Sequence, residues 1–222
     1  MEQQLIDPLD PKTKAVLKAH IAEVLPGLLF DAKWRSHFDF FTVFESIDRL
    51  YYDGGGSAAL TDSEGLKLEV SALGATEANF FLLMPAGALI RHDKPTRFRC
   101  ALRVTSIADM SASVYSLVPV SAVDWISVGI ENGRLLGTVT INTVVRDIDL
   151  GAAAANTFYT LEYRYVPGDR VVFFVDGVEK GTLTNVLLTA DPEGIFQFGV
   201  ARSAAATKGA TLAYVHFSQG LL

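Results

Sequence analysis

The stretch at residues 157–184, TFYTLEYRYVPGDRVVFFVDGVEKGTLT, decides the fold class. Its first part alternates between apolar and polar side chains, as expected of a half-buried strand whose apolar side carries Tyr159, Leu161, Tyr163 and Tyr165. Turn residues at 167–169 lead into a second extended run at 171–175. Asp176-Gly177 then suits a type I′ turn into a third strand, so the stretch predicts an antiparallel meander.

Further strand-like runs follow one another on both sides of this meander. They lie at residues 38–44, 65–70, 79–84, 97–107, 113–118, 125–130, 135–141, 144–150, 195–201 and 211–217, with turn signals at 53–56, 132–133, 193–194 and 208–209. The clearest alternation places Phe98, Cys100, Leu102 and Val104 inward. About a dozen strands joined by short turns predict an all-β, two-sheet antiparallel sandwich.

The N-terminal region has a different pattern. Asp10-Pro11 is a good helix start, apolar residues then recur at helical spacing, and Pro26-Gly27 is a good helix end. We therefore predict a helical arm at residues 1–36 and a sandwich domain at residues 37–222. The helix is expected either to pack on the sandwich or to dock on a neighbouring subunit.

Composition restricts the partners of the chain. Hydrophobic residues make up 50% of the 222 residues and charged residues only 20%, which predicts a surface partly covered by another subunit in a homo-oligomer or larger assembly. The formal charge of −6 disfavours nucleic acid. The longest apolar run, at 79–90, is interrupted by Pro85 and Gly87 and is too short to span a bilayer. The first residues do not resemble a secretory signal, and the lone Cys100 is compatible with synthesis in a reducing cytoplasm.

With these strands in view, the sequence resembles the concanavalin A-like lectin/glucanase jelly rolls, including their laminin-G-like branch. The residues that carry the resemblance are GLKLEV at 65–70, the core strand at 98–104, the strand at 159–165 and VVFFVDG at 171–177. The resemblance covers roughly residues 38–222. It implies a jelly-roll sandwich with a concave face, and leaves the function open because such folds host unrelated activities.

The sequence offers little for catalysis or metal binding. Glycan hydrolases of the superfamily carry a Glu-x-Asp-x-x-Glu strand, which is missing here; the nearest approach is Asp147 and Asp149, about 7 Å apart on one face of a strand. We therefore predict that the protein is not an enzyme. The histidines have no zinc-like spacing, so no metal or cofactor is predicted. Calcium is kept as an alternative, because relatives bind it through loop carboxylates, and acidic residues fall in or near predicted loops at Asp53, Asp62, Asp124, Asp169 and Asp191.

Two groups of residues are candidates for binding. Trp125, Asp124 and Tyr115 follow turn-like sequence and are predicted to bind carbohydrate on the concave face, with burial of Trp125 in the core as the alternative. Arg97, Arg99 and Arg103 form an outward basic ribbon; they are predicted to contact an acidic partner subunit, with a solvated face as the alternative.

Two functions remain. The leading one is a non-catalytic structural or attachment module of a virion, such as a capsid decoration, spike or fibre protein, made in the cytoplasm and delivered outside in an assembled particle. It explains a lectin-like fold without an export signal or a disulfide pair. The alternative is a carbohydrate-binding or glycan-cleaving protein of the same fold whose export signal was removed, with a surface glycan as its ligand.

Overall fold

A computed structural model of the chain describes residues 34–40, 50–54, 57–61, 65–70, 77–83, 92–118, 124–189 and 194–220. Within these segments the regular secondary structure is entirely β-strand. None of them forms a helix long and apolar enough to cross a membrane. The helix predicted between Asp10 and Gly27 lies outside the described residues, and so does most of the arm predicted at 1–36.

Fifteen strands are described. In chain order they are β1 (Trp34–Phe40), β2 (Leu50–Gly54), β3 (Ser57–Thr61), β4 (Gly65–Val70), β5 (Glu77–Leu83), β6 (Thr96–Val104), β7 (Met110–Val118), β8 (Trp125–Glu131), β9 (Arg134–Ile141), β10 (Val144–Ala152), β11 (Tyr159–Val166), β12 (Arg170–Val175), β13 (Val178–Thr184), β14 (Gly194–Arg202) and β15 (Lys208–Gly220).

The strands form two antiparallel sheets. The eight-stranded sheet has the order β13-β12-β11-β6-β15-β4-β3, and β1 pairs with the later half of β15. The seven-stranded sheet has the order β10-β9-β8-β7-β14-β5-β2. Both orders mix neighbours in sequence with strands far apart, as in a jelly roll. The predicted all-β jelly-roll sandwich is confirmed.

The predicted meander is β11-β12-β13, paired in the expected register. Its second turn has Asp176 and Gly177 both at positive φ, 50° and 79°, as a type I′ turn requires. Leu161, Tyr163 and Tyr165 are buried, as the alternation predicts. Glu162, on the opposite side of β11, is also buried at 4% exposure, which the pattern did not indicate.

Other boundaries differ from the prediction. The short strands β2 and β3 were missed because glycine and small residues surround them, and Asp53-Gly54, predicted as a turn, ends β2. Lys208-Gly209, also predicted as a turn, begins β15. β1 begins at Trp34, three residues before residue 37, and the division into an arm and a sandwich domain stays a prediction.

Three aromatic rings of the eight-stranded sheet, on β6, β11 and β12, lie together in the core. Tyr163 stacks on Phe98 with ring centroids 5.5 Å apart and meets the edge of Phe173 at 6.4 Å. Its hydroxyl group hydrogen-bonds to Ser116 of the opposite sheet, so the buried phenol has a polar partner. Cys100 is fully buried beside them. Burial raises the pKa of its thiol, so the reactive thiolate form is disfavoured at this position.

Gly137 of β9 provides the space for one of these rings. A Cβ atom at this position would lie 2.5 Å from Cδ1 of Phe173, which is closer than any real carbon contact. Phe173 is fully buried, so its ring has little room to move away. Because Gly137 of the seven-stranded sheet has no side chain, the large side chain of Phe173 on the eight-stranded sheet has room to pack against it.

We predict that Gly137→Ala lowers the free energy of unfolding by about 1–3 kcal/mol, because the added methyl overpacks the core. Urea titration would measure the loss. In the double variant with Phe173→Leu, the combined loss should be smaller than the sum of the two single losses, since the smaller side chain vacates the contact. Strictly additive losses would show that the two positions are not coupled.

Candidate functional site

The outer face of the seven-stranded sheet carries a groove over β7, β8, β9 and β10. In these strands alternate residues enter the core, among them Val114, Val128 and Val139, which are at most 1% exposed. The residues between them point to the other side of the sheet. Packing of one face therefore determines which side chains the other face presents.

The groove has a volume of about 220 Å³ and is built from hydroxyl groups, aromatic rings and carboxylates. Ser127 and Thr140 are buried at its floor, Tyr115 and Trp125 are half-buried beside them, and Val145 is exposed at the rim. The remaining lining residues are Ser113, Gly129, Ile130, Glu131, Leu136, Thr138 and Asp147. Such a mixture of apolar surface and a few polar groups is typical of a ligand site.

Tyr115 and Trp125 form the aromatic wall of the groove. Their ring centroids are 6.2 Å apart and the rings meet edge to face at 77°. Trp125 therefore lies on the outer face of the sheet. The alternative prediction, that Trp125 is buried in the core, is wrong. It pairs in register with Thr140, whose hydroxyl group is buried without a hydrogen-bond partner among the described residues.

Asp124, the third predicted carbohydrate-binding residue, does not line the groove. It is fully buried and accepts hydrogen bonds from the backbone N–H of Asn142 at 2.7 Å, the backbone N–H of Thr189 at 2.7 Å and the Thr189 hydroxyl at 2.9 Å. These bonds tie the start of β8 to the β9–β10 turn and to the segment after β13. Asp124 thus helps to position Trp125, and its own role in carbohydrate binding stays a prediction.

The two carboxylates of β10 have different surroundings. Asp147 lines the groove and accepts a 2.7 Å hydrogen bond from the Thr138 hydroxyl. Asp149 lies further along the same face and accepts hydrogen bonds from the backbone N–H of Gly151 and from Arg134, whose Nη2 is 2.6 Å away. These two donors hold the pKa of Asp149 below its usual range.

These carboxylates can be compared with the pair that glycan hydrolysis requires, and the absence of an enzymatic activity stays a prediction. A glycosidase pairs a proton-donating carboxylic acid of raised pKa with an ionised carboxylate, and the lowered pKa of Asp149 suits only the second of these roles. Glu131 and Asp147 stand opposite Arg134 and Thr138 of β9, four residues apart, which separates them by roughly 13 Å along the strand. That exceeds the roughly 5–9.5 Å at which paired carboxylates act.

The predicted basic ribbon faces outward on the eight-stranded sheet, where intramolecular contacts occupy it. Arg97 donates two 2.9 Å hydrogen bonds to the carboxylate of Glu162, and Arg164 donates a third at 2.7 Å. Arg103 lies over the ring of Phe158 at 4.6 Å.

Arg99, the remaining member of the ribbon, lies between Arg97 and Arg103 on β6, and its Nε atom is buried. It interacts with the phenol group of Tyr214 on the neighbouring strand β15. The role of the ribbon in binding an acidic partner stays a prediction.

No group of three or more metal-ligating side chains occurs among the residues that the structure describes. Of the carboxylates considered for calcium, Asp124 is engaged by backbone and hydroxyl donors and Asp169 pairs with Arg170 at 3.3 Å. Asp62 and Asp191 lie outside the described residues. Calcium binding stays a prediction.

No protein-family model matches the chain, and no curated protein matches it. Solved structures match its fold at low sequence identity. A Bacillus licheniformis β-glucanase has a TM-score of 0.61 at 14% identity and covers 82% of this chain and 97% of its own. The carbohydrate-binding module CBM66 from Bacillus subtilis has a TM-score of 0.52 at 10% identity, covering 74% and 91%. A Shewanella oneidensis MR-1 protein of unknown function has a TM-score of 0.59 at 15% identity, covering 96% and 95%.

These neighbours agree with the resemblance drawn from the sequence. The fold is a concanavalin A-like jelly-roll sandwich, the class that includes glycosidases and carbohydrate-binding modules. At such low identity the likeness shows the fold alone, so function has to be argued from the side chains of the groove.

Glu162 supplies a test of the ribbon's structural role. Burial raises the pKa of its carboxyl, but the hydrogen bonds and charges of Arg97 and Arg164 outweigh burial, and the pKa lies below its usual range. We predict that Glu162→Gln lowers the free energy of unfolding at pH 7 by about 1–2 kcal/mol. Because the folded pKa is lowered, the ionised carboxyl stabilises the fold above its unfolded pKa of about 4.3, and this contribution is lost as the pH falls through the folded pKa.

Urea titrations between pH 7 and pH 2.5 would measure this contribution. The difference in the free energy of unfolding between the wild type and Glu162→Gln should become smaller as the pH is lowered. Glu179→Gln removes an exposed carboxylate on β13 and serves as the control, with an expected change below about 0.5 kcal/mol. A difference in the free energy of unfolding that does not change with pH would contradict a stabilising role for the ionised carboxylate of Glu162.

Proposed function

We propose that the groove over β7–β10 binds a carbohydrate chain without cleaving it. The observation that carries the proposal is the pairing of Tyr115 and Trp125 above a floor of hydroxyl groups. Sugar rings have apolar faces of C–H groups and edges of hydroxyl groups. Aromatic rings can contact those faces, while serine, threonine and carboxylate groups can exchange hydrogen bonds with the edges.

The polar groups of the groove suit this ligand class. Thr138 and Asp147 form a donor–acceptor pair in the lining, and hydroxyl and carboxylate oxygens of this kind can accept further hydrogen bonds from sugar hydroxyl groups. Ser113 and Ser127 add hydroxyl groups that can donate or accept. The fold neighbours, a carbohydrate-binding module and a β-glucanase among them, support a carbohydrate ligand as a class.

Binding without cleavage is favoured by the carboxylates. Asp147 and Asp149 are two residues apart on one face, about 7 Å by strand geometry, but Asp149 is held ionised by Gly151 and Arg134. The catalytic sequence pattern of the superfamily's hydrolases is missing. The assembly role in a virion gains no support from the groove or from the fold neighbours, and it stays a prediction, as does the homo-oligomer.

We predict that Trp125→Ala and Tyr115→Ala each weaken glycan binding at least about tenfold, equivalent to about 1.4 kcal/mol, because they remove the aromatic wall. Isothermal titration calorimetry with neutral β-glucan, mannan, xylan and N-acetylglucosamine oligomers would measure the affinities. Trp125→Phe, which keeps a ring, should retain part of the binding even if the alanine variants are less stable.

Phe158→Ala is the matched control, because Phe158 is an exposed ring outside the groove. It should bind as the wild type does. Equal affinities for the Trp125 and Phe158 variants, or no binding of any oligomer at millimolar concentration, would refute the proposal. Release of reducing ends that Asp147→Asn abolishes would instead show that the protein is a hydrolase.

A further inference from the structure

Charged side chains on the groove face are predominantly acidic. Glu131 and Asp147 line the groove, and its described lining residues include no lysine or arginine. Arg134, opposite Glu131 in register, directs its guanidinium to Asp149, where Nη2 and Nε lie 2.6 and 3.2 Å from the same carboxylate oxygen. The one arginine of this part of the face is therefore already neutralised.

The two lining carboxylates are open to a ligand. Both are exposed, and Asp147 is bonded to a neutral hydroxyl group, which leaves its charge uncompensated. Glu131 has no ion pair with the cations that the structure describes. A ligand that fills the groove would therefore meet two negative charges, one on each side of β9 and four residues apart along it.

The cations of the domain lie mainly elsewhere. Arg97, Arg99, Arg103 and Arg164 all occupy the outer face of the eight-stranded sheet, on the opposite side of the sandwich. They are separated from the groove by the whole thickness of the core, about 10 Å between the sheets alone. Arg97 and Arg164 are also paired there with the Glu162 carboxylate, which offsets part of their positive charge.

We propose that the groove selects glycans by charge: it accepts neutral or amino-bearing chains and excludes chains that carry carboxylate or sulfate groups. This inference rests on the proposed function and adds the class of ligand. An acidic sugar placed against Trp125 and Tyr115 lies beside Asp147, which stands in the same row across the sheet as Tyr115. A chain that extends toward Glu131, four residues further along the strands, meets a second negative charge. Neither charge is offset by a lysine or arginine among the lining residues, so an acidic chain is repelled.

The experiment uses matched ligands. The neutral oligomer that binds best is compared with the same oligomer after oxidation of its C6 alcohols to carboxylates, at low ionic strength. The oxidised chain should bind at least about tenfold more weakly, and the difference should shrink at about 0.5 M salt because screening shortens the range of the repulsion. A deacetylated N-acetylglucosamine oligomer, which carries amines, should bind at least as tightly as its acetylated form.

The double variant Glu131→Gln, Asp147→Asn tests the source of the selectivity. The ratio of neutral to oxidised affinity should fall about tenfold in this variant. The control Asp169→Asn, Glu179→Gln removes the same formal charge at exposed positions outside the groove, and its ratio should equal that of the wild type. Using the ratio separates charge selection from any loss of hydrogen bonds common to both ligands.

The outcomes distinguish the two proposals. If the oxidised chain binds as well as the neutral chain, or if both double variants change the ratio equally, charge selection is refuted while carbohydrate binding stands. If neither chain binds and Trp125→Ala changes nothing, both proposals are refuted. Charge selection is supported if the oxidised chain binds more weakly than the neutral chain and if only the Glu131→Gln, Asp147→Asn variant reduces this difference in affinity.

Discussion

The alternation of side chains in β7, β8 and β9 is the constraint on which the site depends. Val114 and Val128 must stay in the core, and this requirement leaves Tyr115 and Ser127 on the opposite face. A one-residue shift in the register of a strand would exchange its two faces. The polar side chains of the groove would then be buried, and the aliphatic side chains of the domain core would be exposed. The free energy that maintains the core therefore also maintains the orientation of the side chains that line the groove.

The two outer faces of the sandwich use charge differently. On the eight-stranded sheet, Glu162 is nearly buried and its carboxylate is held by Arg97 and Arg164, so the arginines are part of the fold. Loss of both arginines would leave the Glu162 carboxylate unpaired in poorly hydrated surroundings. On the seven-stranded sheet, Glu131 and Asp147 stay exposed with no such neutralisation. The first arrangement stabilises the domain, whereas the second is available to a ligand.

Neighbours of the same fold show why the side chains have to decide the function. A β-glucanase and a carbohydrate-binding module match this backbone at 14% and 10% identity. The backbone supplies two stacked sheets, but cleavage needs two carboxylates at a particular separation with different pKa values. The described groove supplies aromatic rings and hydroxyl groups, with Asp149 held ionised by Arg134. Binding of a ligand requires no such pair of carboxylates, whereas catalysis does.

The sequence by itself determined the elements with strong local signals: the alternating strands, the turn at Asp176-Gly177 and the burial of Cys100. These features depend on neighbouring residues, so they can be predicted without knowing the fold. The short strands β2 and β3 were missed because their glycine-rich surroundings resemble turns. Only the tertiary structure decided the lateral order of the strands, which brings Tyr115, Trp125 and Asp147 together from three strands and places Arg97 beside Glu162, 65 residues away. It also decided that Asp124 is buried while the adjacent Trp125 faces the groove, because burial depends on packing between segments that are distant in the chain.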